Sequence, residues 1–150
     1  NLSAQEFSYM FGINSCGIIL ASVLSAKASN VVKMKNILNT SLWQLTIGST
    51  LFLCAMYFNW SFMVTSIILF FTICTVSVFG SAGFSMAMAK YGHQAGSASA
   101  ILGFAGMFSA SFVSPLVGIG GSHTGVPMGI VMVACAALAL VCFYTMIKEN

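Results

Sequence analysis

Apolar residues run along this chain in long blocks, and the charged positions between them are few and widely spaced. Positions 7–26 carry no charge, and neither do positions 36–89 or 91–147. One bilayer crossing takes about 20 apolar residues, so the first block holds one helix and each of the others holds two helices joined by a short turn. The pattern predicts five transmembrane helices. The first spans about 7–26 and is opened by Ser3 with Glu6 three residues on, the S-x-x-E spacing of a capping box. The second spans about 42–58, with Ser41 and Gln44 repeating that spacing at its start. Asn59-Trp60-Ser61 makes the next turn, with Trp60 where interfacial aromatics sit. The third spans about 62–89, longer at about 1.5 Å per residue than a hydrocarbon core of about 30 Å. It must tilt, bend or protrude, and Gly80, Ser81 and Gly83 mark the bend. The fourth spans about 97–117 and contains Pro115, whose ring presses on the Ser111 carbonyl and predicts a kink there. Gly118 to Gly125, GIGGSHTG, reads as a turn. Pro127 suits the first turn of the fifth helix, about 127–147.

Composition turns the pattern into a class. Of 150 residues, 59% are hydrophobic and 5% charged, with a mean hydropathy of +0.99, whereas an ordinary soluble domain carries about 25% charged residues. A soluble fold with so little charge would expose large apolar patches. The expected class is an all-α, polytopic transmembrane bundle. Arginine and aspartate are absent, which removes Asp-based acid/base pairs, Arg clamps on phosphate and basic nucleic-acid tracts. The lysines add direction. Lys27, Lys33 and Lys35 lie between the first and second helices, Lys90 between the third and fourth, and Lys148 after the fifth. All five fall on one side of a five-helix path, a side the positive-inside rule assigns to the cytoplasm. A miscounted helix would have split them between faces. The N-terminus and the turns at Asn59 and at Ser122-His123-Thr124 are then extracytoplasmic.

With lipid as solvent, helices associate through small residues and hydrogen bonds. Gly96, Ala100, Gly103, Gly106 and Ala110 recur at spacings of three and four in the fourth helix, while Ile101, Phe104 and Phe108 occupy another face. Ser77, Ser81 and Ser85 make a similar stripe in the third. Such faces serve helix packing, or let one helix slide or rock against its neighbours as transporters require. Asn14 is the one carboxamide inside the first helix, and an unpaired amide in hydrocarbon is costly. It forms a stripe with Phe7, Phe11 and Ile18, which either lines a cavity for an amphipathic molecule or marks an interhelical hydrogen bond. Gln44 reads as interfacial. Thr72, Thr75 and Ser66 can bond their own helix carbonyls.

Other chemistry is thin. Cys16, Cys54, Cys74, Cys135 and Cys142 include no C-x-x-C and read as small core residues, not as a disulfide framework or metal site. His93 and His123 fall on opposite sides of the membrane and cannot share a metal. Asn39-Thr40-Ser41 and Asn59-Trp60-Ser61 match the glycosylation pattern, the first on the cytoplasmic side and the second against the bilayer. No catalytic constellation, metal site or cofactor motif is present, and no ionisable residue of the kind that couples protons or cations lies centrally in the five helices.

Leu2 to Ser22, LSAQEFSYMFGINSCGIILAS, and Ala95 to Gly118, AGSASAILGFAGMFSASFVSPLVG, together resemble the Bcr/CflA subfamily of drug:proton antiporters in the major facilitator superfamily. The first is similar to that family's eighth of twelve helices, with an L-S-x-Q-x-F opening and an F-x-x-N core at Phe11 and Asn14. The second is similar to its eleventh, with the A-G-[ST]-A-S run at Ala95 to Ser99, and GVPMGIVM at Gly125 to Met132 to the opening of its twelfth. Ala110, Ser114, Pro115 and Gly118 echo in degenerate form the G-x-x-x-G-P-x-x-G antiporter motif. Two departures stand out: Phe79 to Lys90 has no proline where the family's tenth helix commonly carries one, and the loop after Ser22 has lysines and no arginine.

The resemblance implies the C-terminal part, helices eight to twelve, of a non-enzymatic efflux transporter in a bacterial inner membrane. It would export small amphipathic, drug-like compounds by proton antiport and alternating access, together with an N-terminal half. Phe7, Phe11, Asn14, Phe104 and Phe108 are the expected cavity lining, and Gly96, Ala100, Gly103, Gly106 and Pro115 the expected packing and gating positions. A second reading is a small self-sufficient membrane protein whose fourth helix is an association face. The chain begins at Asn1, with neither the basic nor the apolar region of a signal sequence, and its first residues are predicted outside. A longer polypeptide with earlier helices is expected on these grounds. Residues 1–150 alone are therefore predicted to melt broadly and to aggregate in detergent; a sharp, monodisperse transition would contradict that.

Overall fold

The computed structural model describes residues 4–89, 91–118 and 125–148. They form five long helices: α1 (Ala4–Ala28), α2 (Met34–Tyr57), α3 (Phe62–Ala89), α4 (Ala95–Gly118) and α5 (Val126–Lys148). A single 3-10 turn, Gly92–Gln94, leads into α4. The all-α membrane bundle expected from the sequence is the fold observed. The Ser3 cap, the Glu6 and Phe7 side chains, Lys90 and the turn at 119–124 with His123 lie outside the described residues.

Four of the five helices are apolar and long enough to cross a bilayer. The exception is α2, which carries Lys35, Asn36, Asn39 and Gln44 in its first half. Its register nevertheless takes it through the full height of the bundle. Leu38 sits beside Gly83 and Gly48 beside Thr72, while Phe52 and Ala55 share a cavity wall with Thr65 and Leu69. Rising positions on α2 meet falling positions on α3, so the two are antiparallel from end to end. Between α2 and α5 the order is the same: Trp43 and Asn39 bond Tyr144, Leu53 abuts Gly129, and Met56 abuts Gly125. Between α1 and α3 it is parallel, with Gly17 against Phe70 and Cys74 and Ser22 against Ser77. A chain that crosses in one direction along α1 and again along α3 has to return along α2. The turn bearing Lys27, Lys33 and Lys35 and the C-terminal ends of α3 and α5 therefore share one end of the bundle, and Asn59 occupies the other.

The second helix starts at Met34, eight positions before the start read from Ser41 and Gln44. Ser41 is no cap. Buried inside α2, its hydroxyl donates to the carbonyls of Ile37 (2.8 Å) and Leu38 (3.0 Å). Ser49, Thr72 and Thr75 do likewise with Leu45, Ile68 and Phe71 at 2.7–2.8 Å. No buried side-chain nitrogen or oxygen among the described residues is left without a partner, as an apolar solvent demands. The turn at Asn59 forms as read from the sequence. Asn59 takes a left-handed φ of 50°, which asparagine tolerates, and Trp60 N–H donates back to the Ala55 carbonyl at 3.0 Å, closing a Schellman-type end to α2.

The closest helix approaches are not those expected. The face of α4 built from Gly96, Ala100, Gly103 and Gly106 is exposed, and a Cβ added at any of its three glycines meets no atom within 4 Å. Pro115 lies within an unbroken α4 and is also exposed. The helices close instead at isolated glycines. A Cβ on Gly48 would lie 2.6 Å from Thr72 Oγ1, and one on Gly129 would lie 3.1 Å from the backbone Cα of Leu53. Overpacking of this kind costs about 1–3 kcal/mol. Gly129→Ala is accordingly predicted to lower the melting temperature of the detergent-solubilised protein, and Leu53→Ala to recover only part of the loss, because Leu53 Cα stays in place. An unchanged melting temperature in Gly129→Ala would show that α2 and α5 do not meet here.

Candidate functional site: two polar-lined cavities beside α1

Among the described residues, α1 packs closely on α3 alone, at mid-height. Gly17 removes the side chain that would collide with the Phe70 ring and Cys74 Sγ. One turn on, Ser22 Oγ lies 2.5 Å from Ser77 Oγ and also donates to the Ile18 carbonyl at 2.9 Å. Ser77, one member of the small stripe read on the third helix, thus meets α1. On either side of this waist α1 stands away from α2, and a cavity opens at each end of the bundle.

The cavity at the Asn59 end holds about 510 Å³ and is walled by α1, α2, α3 and the start of α5. Phe11 and Asn14 line it from α1, with Trp60 and Phe62 across from them. In place of an interhelical hydrogen bond, which Asn14 does not make among the described residues, its amide faces this space beside Asn59, Thr65 and Ser66. Thr65 and Ser66 already donate to the carbonyls of Ser61 and Phe62, so they offer acceptors, whereas the two carboxamides offer both donor and acceptor. No ionisable side chain lines the cavity. Its chemistry suits a ligand that is largely apolar, hydrogen-bonds at one or two points and presents a flat or cationic face to aromatic rings. A shallower groove of about 610 Å³, between Tyr9, Met10 and Ile13 of α1 and Phe62, Met63 and Ile67 of α3, adjoins it and is almost wholly apolar.

Phe104 and Phe108 do not join this site. They stack on each other along α4 (centroids 5.6 Å apart), and Phe108 meets Phe112 edge-on at 4.9 Å. All three rings are exposed, on a helix that buries nothing in this bundle. The sequence reading missed Asn59, Thr65 and Ser66: the first was absorbed into a turn, and hydroxyls that bond their own helix carry no signal of what else they face.

At the lysine-bearing end a second cavity, about 430 Å³, lies between the end of α1 and the start of α2, with α3 behind it. Asn36, Thr40 and Gln44, at successive four-residue steps along α2, line it together with Ser25. Gln44, read as interfacial from the later helix start, sits ten residues inside α2, about 15 Å from its beginning. Among the described residues no group of three or more His, Cys, Asp or Glu could hold a metal ion, and the five cysteines are free thiols.

Fold and cavities define the class as a multi-pass helical membrane protein with a cavity at each end of its bundle. Over 149 residues, 99% of its length, the chain is 34% identical to a protein of Bacillus subtilis (strain 168), the uncharacterized MFS-type transporter YdgK, and it spans 37% of that protein. The chain is thus similar to a protein described as of the major facilitator type and covers just over a third of its length. No family model and no solved structure matches the chain.

Proposed function

We propose that this chain forms part of a drug:proton antiporter of the Bcr/CflA type, in a bacterial inner membrane, that exports small amphipathic compounds by alternating access. The lysine-bearing end faces the cytoplasm and the Asn59 end faces outward. The observation that carries the reading is the Asn14 cavity. An amide that lipid would penalise is held beside Phe11, Trp60 and Phe62 in a space of about 510 Å³, within the ~300–1,000 Å³ of small-molecule sites. Phe7, one turn before Phe11 and two before Asn14 on the same stripe, is proposed to extend that lining. Phe104 and Phe108, with the small face of α4 and Pro115, are proposed to meet an N-terminal half that completes the central pathway and carries the proton-coupling groups. The similarity to a longer transporter favours this reading over a small structural membrane protein.

The test is drug susceptibility of a sensitised bacterial strain expressing the full-length gene, with and without a protonophore. Raised resistance that the protonophore abolishes is expected. Loss of one neutral hydrogen bond is worth about 1 kcal/mol, or roughly fivefold in affinity. Asn14→Leu should therefore lower resistance to hydrogen-bonding compounds about fivefold, with expression intact. Unchanged resistance to every exported compound would remove Asn14 from the site, and absence of resistance despite membrane expression would remove the efflux reading.

A further inference from the structure

The cavity at the lysine-bearing end has features that the transport reading does not use. Its α2 wall is a polar stripe, Asn36, Thr40 and Gln44, on a helix whose other uncharged polar side chains are engaged: Ser41 and Ser49 by their own carbonyls, Asn39 by Tyr144 at 3.1 Å. The Asn36 and Gln44 carboxamides, by contrast, make no hydrogen bond to another side chain among the described residues. The facing walls, Ala21 and Leu24 on α1 and Phe71 and Val78 on α3, are apolar. Each of three lysines adjoins a lining residue in sequence: Lys27 beside Ala28, Lys33 beside Val32, Lys35 beside Asn36. All three are exposed, and positions 7–147 contain no acidic residue to neutralise them. Exposed lysines adjoining the lining in sequence, hydrogen-bond donors along α2 and apolar walls on α1 and α3 are the groups that a phospholipid with a net negative head group would satisfy.

We propose that this cavity binds one anionic phospholipid of the lysine-side leaflet. The phosphate is held at the rim by Lys27, Lys33 and Lys35, the glycerol ester oxygens accept from Asn36, Thr40 and Gln44, and an acyl chain lies along Leu24 and Phe71. Basic pockets between transmembrane helices on the cytoplasmic side are suited to such head groups. The inference rests on the proposed orientation for the leaflet it names; the binding itself requires neither orientation nor transport.

The experiment is native mass spectrometry of the full-length protein, delipidated in detergent and titrated with palmitoyl-oleoyl phosphatidylglycerol or with phosphatidylcholine carrying the same chains. Retention of one phosphatidylglycerol, at least about tenfold more tightly than phosphatidylcholine, is expected from three surface cations. The triple variant Lys27→Gln, Lys33→Gln, Lys35→Gln should lose that preference. Thr40→Phe, which fills the cavity and leaves the lysines intact, should lose binding of the lipid. Glycerol 3-phosphate, which has the head-group charge and no chains, should not displace it. Equal retention of the two lipids by the unmodified protein would overturn the proposal, and that comparison stands even if a variant fails to fold. Binding that depends on the lysines and survives Thr40→Phe would also overturn it, since the loop alone would then be the site. Failure of efflux with lipid binding intact would count against the transport reading alone.

Discussion

The seating of α2 between α3 and α5 is the contact on which the rest of this molecule depends. This helix is too polar for lipid over much of its length, yet it runs the height of the bundle. It can do so because Gly48 and Gly129 let Thr72 and Leu53 approach where a side chain would stand, and because its buried hydroxyls turn back on their own carbonyls. Close packing replaces the hydrophobic drive that is missing between helices in a bilayer. At the lysine-bearing end Tyr144 donates to Asn39 and accepts from Trp43, both at 3.1 Å, so the α2 to α5 contact is held by packing at one end and hydrogen bonds at the other.

Both cavities follow from that seating. With α2 drawn toward α3 and α5, α1 is left touching α3 at one waist, Gly17 on Phe70 and Ser22 on Ser77. A narrow contact with space above and below it puts Asn14 at the edge of one cavity and Ser25 at the edge of the other. The two have different chemistry, aromatic and amide-lined at the Asn59 end, amide-lined under lysines at the opposite end, and the functions proposed for them differ accordingly. Helix α4 takes no part in either. Its small face and its ladder of three phenylalanine rings are both open in this bundle.

Much of this architecture was legible from charge spacing alone. The uncharged blocks divide correctly into helices, Asn59 falls at a turn because asparagine accepts the left-handed backbone there, and Phe11 and Asn14 share a wall because they are three residues apart on a helix. The misplaced start of α2 has a clear cause: Ser41 and Gln44 have the spacing of a capping box, whereas the true start at Met34 has Lys33 before it and no side-chain cap. In α4 the repeating small face meets no other helix within the described residues, while the glycines that bring helices together here, Gly17, Gly48 and Gly129, are isolated in apolar runs. A repeat shows which residues share a face; it does not show which helix that face meets. For the same reason Phe104 and Phe108 could be placed together but not placed relative to Asn14.

The measurement that bears most directly on this account is the accessibility of two turns to a membrane-impermeant thiol reagent in intact cells. It is made in a full-length protein whose own cysteines have been replaced, with Ser29→Cys in the α1 to α2 turn and Asn59→Cys in the α2 to α3 turn. Labelling of Asn59→Cys from outside, and of Ser29→Cys only after the cells are permeabilised, is the predicted result, because α2 separates the two turns by the full height of the bundle. Labelling of both from the same side would contradict the account, since α2 would then lie on one face of the membrane and neither cavity could stand where it has been placed.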